Sequence, residues 1–499
     1  MRFFLIVFFI TSSFYTLLSQ DSSLVPIHVF ELRGVVLDSD TKNPLPYANI
    51  VIERINQGGI TNEVGEFSLD TLGVLLSDSI SFLYIGYKTQ KVTVQHFFEM
   101  GTVYLKEDIQ NLNKVFVFGS PPDPKSIVKK VIENKEKNYK RTLKSEHVFI
   151  RSRSTSDLED YHLEYKKSSI SSLDEKMIKE MEDKTPRHST SYTDFLTKVY
   201  YTAPSSDSFN YKTDPIRIVS LKEKELNDMD QLEEVFEDVF SNTEQEEYWK
   251  FKSGIFSFKM DSNDISTSED TTRPENSVHF LQSWYMVHRA MKFSSLKPNS
   301  SWEFLYATGK YNYELVGGTN VGTEDVYVID FTPKRGGLFI GRMYISVETY
   351  ALIRADYEYD VGKVGTDIHL LGIGYTESNF AGSILFEKVD STYQLKYCSK
   401  KQRTEGSMDR SFSLMKKKKR FFIDKKLKEI KIGLNITMKE DVSFEFLVLS
   451  RSPTTQAEYT SFKMPKYSTV QYVDQFDDDL WKGYSIIEPT KRMREYKKR

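Results

Sequence analysis

"GVVLDSDTKNPLPYANIVIE", Gly34 to Glu53, joins a β-rich run (Val35, Val36, Leu37) to a polar turn, a proline pair and a second β-rich run (Ile50, Val51, Ile52). Pro44 and Pro46 lack the N–H that a sheet ladder requires, so they fix an extended crossing between two strands. Working outward, the alternation of short strand and turn continues. Strands are expected over Val29–Asp38, Ala48–Arg54, Gly59–Thr61, Glu66–Leu69, Ser79–Tyr84, Lys88–Val94 and Thr102–Leu105. Turn chemistry separates them at Asp38–Pro44, Asn62–Gly65 and Ile85–Tyr87. Gly65 is placed to take positive φ and close a tight hairpin. Short strands broken at regular turns point to an all-β sandwich.

The fuller pattern carries a resemblance. Gly34, Asp38, Pro44, Leu45, Pro46 and Ala48 open it, Thr61, Gly65 and Phe67 form a T-x-x-x-G-x-F hairpin, and Tyr84–Tyr87 reads Y-I-G-Y. This resembles the carboxypeptidase-regulatory-like domain abundant in Bacteroidota envelope proteins. The resemblance implies a seven-stranded, prealbumin-like sandwich over residues 28–118. It does not imply a peptidase, because the domain is a non-catalytic appendage of the enzymes that name it.

Upstream, "MRFFLIVFFITSSFYTLLSQ" has a positive start at Arg2, an apolar core from Phe3 to about Phe9 and a more polar end. Residues 1–20 therefore read as a secretory signal peptide. The alternative is an uncleaved anchor, but the apolar run falls short of the ~20 residues that a spanning helix needs. No Cys follows the apolar core, so a lipid-modified N-terminus is not expected. Cys398 is the single cysteine, which excludes an intrachain disulfide and a thiolate-rich zinc site. It lies in a strand-like run and reads as a small buried side chain.

At 499 residues the chain has room for two or three domains. Aromatics make up 14%, with 30 Tyr and 34 Phe, which favours sheet. The formal net charge of −3 argues against a nucleic-acid binder.

Residues 119–144 read as a linker and helix. Pro121 and Pro122 mark the linker, Asp123 caps, Pro124 takes the first helical position, and Ile127, Val128, Val131 and Ile132 share a face. Residues 145–455 read as an antiparallel β domain built as a meander. A helical insertion is expected at about 221–294, from "LKEKELNDMDQLEEVFEDVF" and "SVHFLQSWYMVHRAMKF", the second with Val278, Leu281, Trp284 or Tyr285, and Met291 on its apolar face. The run Tyr311–Tyr359 is similar to exported proteins whose curved antiparallel sheet wraps a helix, the half-barrel of lipoprotein carriers. Residues 456–499 form a C-terminal tail, in which "LWKGYSIIEP" resembles the ends of long Bacteroidota envelope proteins that carry the same sandwich. The fold class is thus mainly β, a seven-stranded prealbumin/Ig-like sandwich followed by a larger antiparallel sheet, possible half-barrel, with helical insertions.

No catalytic, cofactor-binding or metal-binding set emerges. His28 and Glu31 match H-x-x-E, the zinc pair of metallocarboxypeptidases, but without the α/β domain that surrounds that pair in the enzymes. The remaining histidines are scattered, and His279 and His288 cannot form an i, i+4 ligand pair. G-x-S-x-G and phosphate-cradling loops are absent. "MKKKKRFFIDKKLKEIKI" places Lys416–Arg420 beside Lys425, Lys426, Lys428 and Lys431. The cluster suits anionic lipid head groups or an acidic partner, or else a solvated loop and a Lys-protected edge strand.

These observations lead to a non-enzymatic exported envelope protein, periplasmic or outer-membrane associated. It would use the sandwich and a curved sheet to hold a lipid or an envelope protein, with no cofactor, nucleic acid or transmembrane segment in the mature chain. The alternatives are an accessory component of TonB-linked outer-membrane uptake and a metallocarboxypeptidase-related zinc enzyme.

Overall fold

The computed structural model describes residues 32–108, 122–202, 211–222, 246–261 and 273–497, apart from single positions 56, 70, 72, 322, 483 and 485. The chain forms two compact units. The first joins the residues up to Asp108 with Asp478–Thr490, and the second holds the residues from Ile109 to Asp477 with Lys491–Arg499.

The first unit contains β1 (Leu32–Asp38), β2 (Asn49–Ile52), β3 (Gln57–Ile60), β4 (Glu66–Leu69), β5 (Ser79–Leu83), β6 (Gln90–Thr93) and β7 (Thr102–Leu105). They form two sheets, β4-β1-β7 and β3-β2-β5-β6, around one core that includes Val36, Ile50, Phe67, Ile80, Phe82 and Phe97. The seven-stranded sandwich is as expected from the sequence. One element is additional: Val94–Met100 is a helix rather than the end of a strand. The Thr93 side chain caps it at the amide of His96, and Gly101 closes it at φ 63°. It delivers Phe97 to Phe67 and Phe82 at ring distances of 5.5 and 5.8 Å.

Three residues of the family resemblance, Asp38, Thr61 and Gly65, fix the backbone of its turns. Asp38 accepts the N–H groups of Asp40 and Thr41 at 2.8 and 2.7 Å, and the Tyr87 hydroxyl at 2.8 Å. The aspartate thereby ties the first turn to the Y-I-G-Y segment. The amide of Thr41, assisted by Tyr87, holds its carboxyl down at about 2. Thr61 donates to Leu45 O and accepts from Ala48 N, fixing the crossing after the proline pair. Gly65 has φ +78°, and a Cβ there would lie 2.6 Å from Val36 O, so only glycine fits the hairpin.

The 456–499 tail divides between the units. Asp478–Thr490 clusters with the sandwich, where Asp478 pairs with Arg33 at 2.7 Å and Trp481, Ile486 and Ile487 are buried. Lys491 onward belongs to the second unit, where the Tyr496 ring meets Tyr192.

The second unit is built on one 14-stranded sheet. Its strands are β8 (Lys144–Ser168), β9 (His188–Tyr201), β10 (Tyr211–Lys222), β11 (Glu247–Ser253), β12 (Phe256–Asp261), β14 (Tyr311–Val321), β15 (Glu324–Pro333), β16 (Phe339–Ser346), β17 (Leu352–Tyr359), β18 (Asp367–Leu370), β19 (Ile373–Val389), β20 (Thr392–Lys418), β21 (Lys425–Pro453) and β23 (Gln471–Val473). A separate two-stranded pair joins β13 (Ser277–His279) to β22 (Tyr467–Thr469). The main path runs β14-β15-β16-β17-β19-β20-β21-β8-β9-β10-β23, and its ends do not pair with each other. The sheet is open.

Three central strands are unusually long: β8, β20 and β21 have 25, 27 and 29 residues. At ~3.3 Å per residue each extends roughly 80 Å or more. Runs that read as separate strands in the sequence, such as "LKEIKIGLNITM" and "SFEFLVLS", are therefore halves of one. Two separate cores pack against the sheet. One is aromatic, around Trp302, Phe304, Tyr311, Phe331, Phe339 and Tyr357. In the other, the Glu175–Lys184 helix packs Ile178 with Ile170, Leu173, Trp249 and Ile430.

The expected helical stretch 221–294 is mixed. "LKEKELNDMDQLEEVFEDVF" lies outside the described residues beyond Lys222. Residues 246–261 form the β11–β12 hairpin, which pairs along β20. The reason is legible in "YWKFKSGIFSFKM", which alternates at a period of 2 around Gly254 (φ +58°). Phe280–Phe293 is helical as expected, but its buried face is Ser283, Val287, Ala290 and Phe293, whereas Leu281 and Tyr285 are exposed. Small residues line this face because the helix lies close against other elements, with the Ser283 hydroxyl 3.4 Å from that of Ser468. The linker helix Pro124–Glu133 buries Ile127, Val128 and Val131, with Asp123 as its cap.

Candidate ligand-binding cleft

The Phe280–Phe293 helix has a second stripe. Tyr285, His288, Arg289, Lys292 and Phe293 follow the i, i+3, i+4, i+7, i+8 spacing of one helical face. Opposite them stand alternate residues of neighbouring strands, Lys400, Gln402 and Thr404 on β20 and Phe444, Val442 and Glu440 on β21. Register makes them direct partners: Lys400↔Phe444, Gln402↔Val442 and Thr404↔Glu440. Between helix and sheet is a cleft of about 620 Å³.

The helix is held at a fixed height. Phe293 meets Phe444 edge-on at 6.0 Å, and the Trp302 indole donates to Phe293 O at 2.9 Å. Gly382 lies under Phe293, where a Cβ would approach its ring to 3.1 Å.

Cations outnumber carboxylates in the cleft lining, with Arg289, Lys292 and Lys400 against Glu440. The Arg289 guanidinium lies over the Phe444 ring at 4.6 Å and donates through Nη2 to Ser152 Oγ at 3.0 Å. Its Nε is buried without a hydrogen-bond partner, and Arg289 forms no salt bridge with a described residue. Lys400 projects its ammonium over the Phe380 ring at 5.2 Å, likewise with no salt bridge to a described residue. Burial pushes both groups below their ordinary values. Lys292 adds an exposed cation at the rim. Among the lining carboxylates Glu440 accepts from Ser154 Oγ at 3.1 Å, and nearby Glu377 accepts from Gln402 at 2.6 Å. His288 stacks on Trp284 at 4.5 Å and bonds the Tyr211 hydroxyl at 2.8 Å, and burial and then Lys292 lower its pKa. The cleft thus offers two desolvated cations between apolar walls of Tyr285, Phe293, Tyr375, Val442 and Phe444. Such a pair is suited to an anion attached to an apolar body.

None of these residues stands out as a site in the sequence. The signal was the Tyr285/His288/Arg289/Lys292 stripe, but its counterpart on β20 and β21 depends on register. The positions that did stand out lie elsewhere. His28 and Glu31 fall outside the described residues. Among the described residues, no three His, Cys, Asp or Glu side chains converge as a metal site. Cys398 is buried in β20, and burial pushes its thiol up. The Lys416–Arg420 cluster is not a uniform solvated edge: Lys416 is buried and paired with Glu247 at 2.9 Å, and β20 is covered on both sides by β11 and β21.

Residues 32–117 match the family model of the CarboxypepD_reg-like domain. No curated protein matches the chain. Solved structures similar to it include a LolA superfamily protein from Nitrosomonas europaea, at 9% identity and a TM-score of 0.16, covering 69% of this chain and 99% of that one. A MucB structure in complex with periplasmic MucA gives 8% and 0.18, covering 67% and 100%. A DUF1329 family protein from Desulfovibrio piger gives 10% and 0.15, covering 68% and 98%. Likeness at this level carries no argument about function. Among the described residues no helix is long and apolar enough to cross a membrane.

Proposed function

We propose that this chain is an exported, non-enzymatic binding protein of the cell envelope whose cleft holds an amphiphile with an acidic group. The observation that carries this reading is the pair Arg289 and Lys400, two desolvated cations that form no salt bridge with a described residue beneath an aromatic helix face, with the Glu377 carboxylate only partly offsetting the burial of Lys400. A buried cation left unpaired is expensive, and an anionic ligand that completes it recovers that energy. The apolar walls supply the remaining affinity at ~25 cal/mol per Å² covered. The CarboxypepD_reg-like sandwich fits an envelope role as a positioning module.

Displacement of a dansyl-labelled fatty acid tests it. A long-chain carboxylate or alkyl phosphate should compete, a monoacylglycerol of equal chain length should compete at least about tenfold less well, a difference of about 1.4 kcal/mol, and the variant R289M should lose the preference. Equal competition by the neutral lipid, or no binding of any acyl probe, overturns the proposal.

A further inference from the structure

The β20–β21 hairpin ends in Phe421-Phe422-Ile423, which are 94%, 89% and 83% exposed. Single exposed apolar residues are ordinary, but three consecutive large ones at a tip are not, because water gains nothing from them and folding is not helped. The tip is not a frayed loop. Tyr248 donates its hydroxyl to Asp424, which also accepts the Arg420 amide at 3.3 Å. Below it the Lys419 amide donates to Glu246 O at 3.0 Å, and the buried Lys416–Glu247 pair anchors β20 to β11. The two phenylalanine rings pack edge to face at 4.8 Å.

A collar of cations surrounds this apolar tip. Residues 416–431 contain nine Lys or Arg and two carboxylates, in a chain whose formal net charge is −3. The carboxylates are engaged, Asp424 as above and Glu429 with Lys167 and Lys426. Lys417, Lys419, Arg420 and Lys425 form no salt bridge with a described residue. Lys419, Arg420, Lys425 and Lys426 are exposed beside the triad.

We infer that this hairpin is a membrane-docking device: Phe421, Phe422 and Ile423 enter the interfacial region of a bilayer while the collar rests on anionic head groups. Charge complementarity selects this occupant. Lipid phosphates form a broad negative surface that meets a whole ring of lysines, whereas a convex tip offers a protein partner no pocket to bury its own side chains. The inference rests on the hairpin alone and is independent of the cleft. A bilayer contact at this tip would hold the protein at a lipid surface without a spanning segment.

The test is cosedimentation of the full mature chain with phosphatidylcholine vesicles, with and without one-third phosphatidylglycerol. Binding is expected only to the anionic vesicles and should weaken with salt. The triple variant F421S/F422S/I423S and the double variant K419A/R420A should each lower partitioning by about tenfold or more. In a second measurement F422W should shift its emission to the blue on adding anionic vesicles, reporting entry into the interface. Absence of binding, binding unchanged in the triple variant, or an unshifted F422W emission would overturn the inference. Self-association lost in the triple variant without vesicle binding would also overturn it, in favour of a second copy. Competition by free acyl chains for the cleft leaves these results unaffected, so this inference and the cleft proposal fail separately.

Discussion

Replacing two arginines of the same sheet domain by methionine should have very unequal costs. Arg151 on β8 makes a two-pronged ion pair with Asp194 on β9, Nε to Oδ1 at 2.8 Å and Nη2 to Oδ2 at 2.7 Å, with side chains 7% and 1% exposed. R151M leaves that carboxylate buried and alone, which costs about 3–5 kcal/mol. Arg289 forms no salt bridge with a described residue. R289M gives up a hydrogen bond to Ser152, about 1.5–3 kcal/mol for a charged donor, and a contact with Phe444 of about 1 kcal/mol. It also relieves an unpartnered Nε, about 1–3 kcal/mol, and the desolvation of a cation, which is several kcal/mol for a wholly buried ion and less at this half-buried one. The gains and losses nearly cancel, so R289M should lie within about 1 kcal/mol of the parent. Urea denaturation at neutral pH measures both, and R289M should keep its midpoint while R151M loses several kcal/mol. If the two lose stability equally, Arg289 is a structural cation and the charge argument for the cleft fails.

Other expectations follow from single contacts. Trp302 is fully buried and its indole anchors Phe293 O, so W302A should cost about 3–5 kcal/mol in urea denaturation. Asp38 titrates at about 2 rather than its usual 3.8, chiefly through the Thr41 amide. Its contribution of roughly 2 kcal/mol is complete above the unfolded value and is lost as pH falls toward 2, and D38N should remove that acid-side dependence from the stability–pH curve. Lys400 is pushed below the ordinary lysine value by burial, so it sheds its proton sooner as pH rises. Affinity for an acidic amphiphile should therefore decline at a pH below that of free lysine, and K400M should flatten this alkaline limb in the dansyl displacement assay.

The sandwich was legible in the sequence because its signals act over short range. Asp38 binds amides two and three residues on, Gly65 closes a hairpin, and Thr61 holds the crossing only 13 and 16 residues back. The cleft was not legible because Arg289, Lys400 and Phe444 meet only through the pairing of strands as long as 27 and 29 residues. Period-2 alternation located these strands but broke them at residues that the sheet carries through. The β11–β12 hairpin had a clear alternating pattern, yet it lay among helix-like neighbours and was absorbed into them. The basic cluster was visible as charge. Which lysine turns inward depended on Glu247, a residue far away in sequence.

Native mass spectrometry of the chain purified from its own kind of host tests the central claim most directly. The account predicts a co-purifying acidic amphiphile whose extra mass is retained by the F421S/F422S/I423S variant and lost from R289M. A bare parent chain, or an extra mass that survives R289M, would contradict the assignment of the cleft as the binding site.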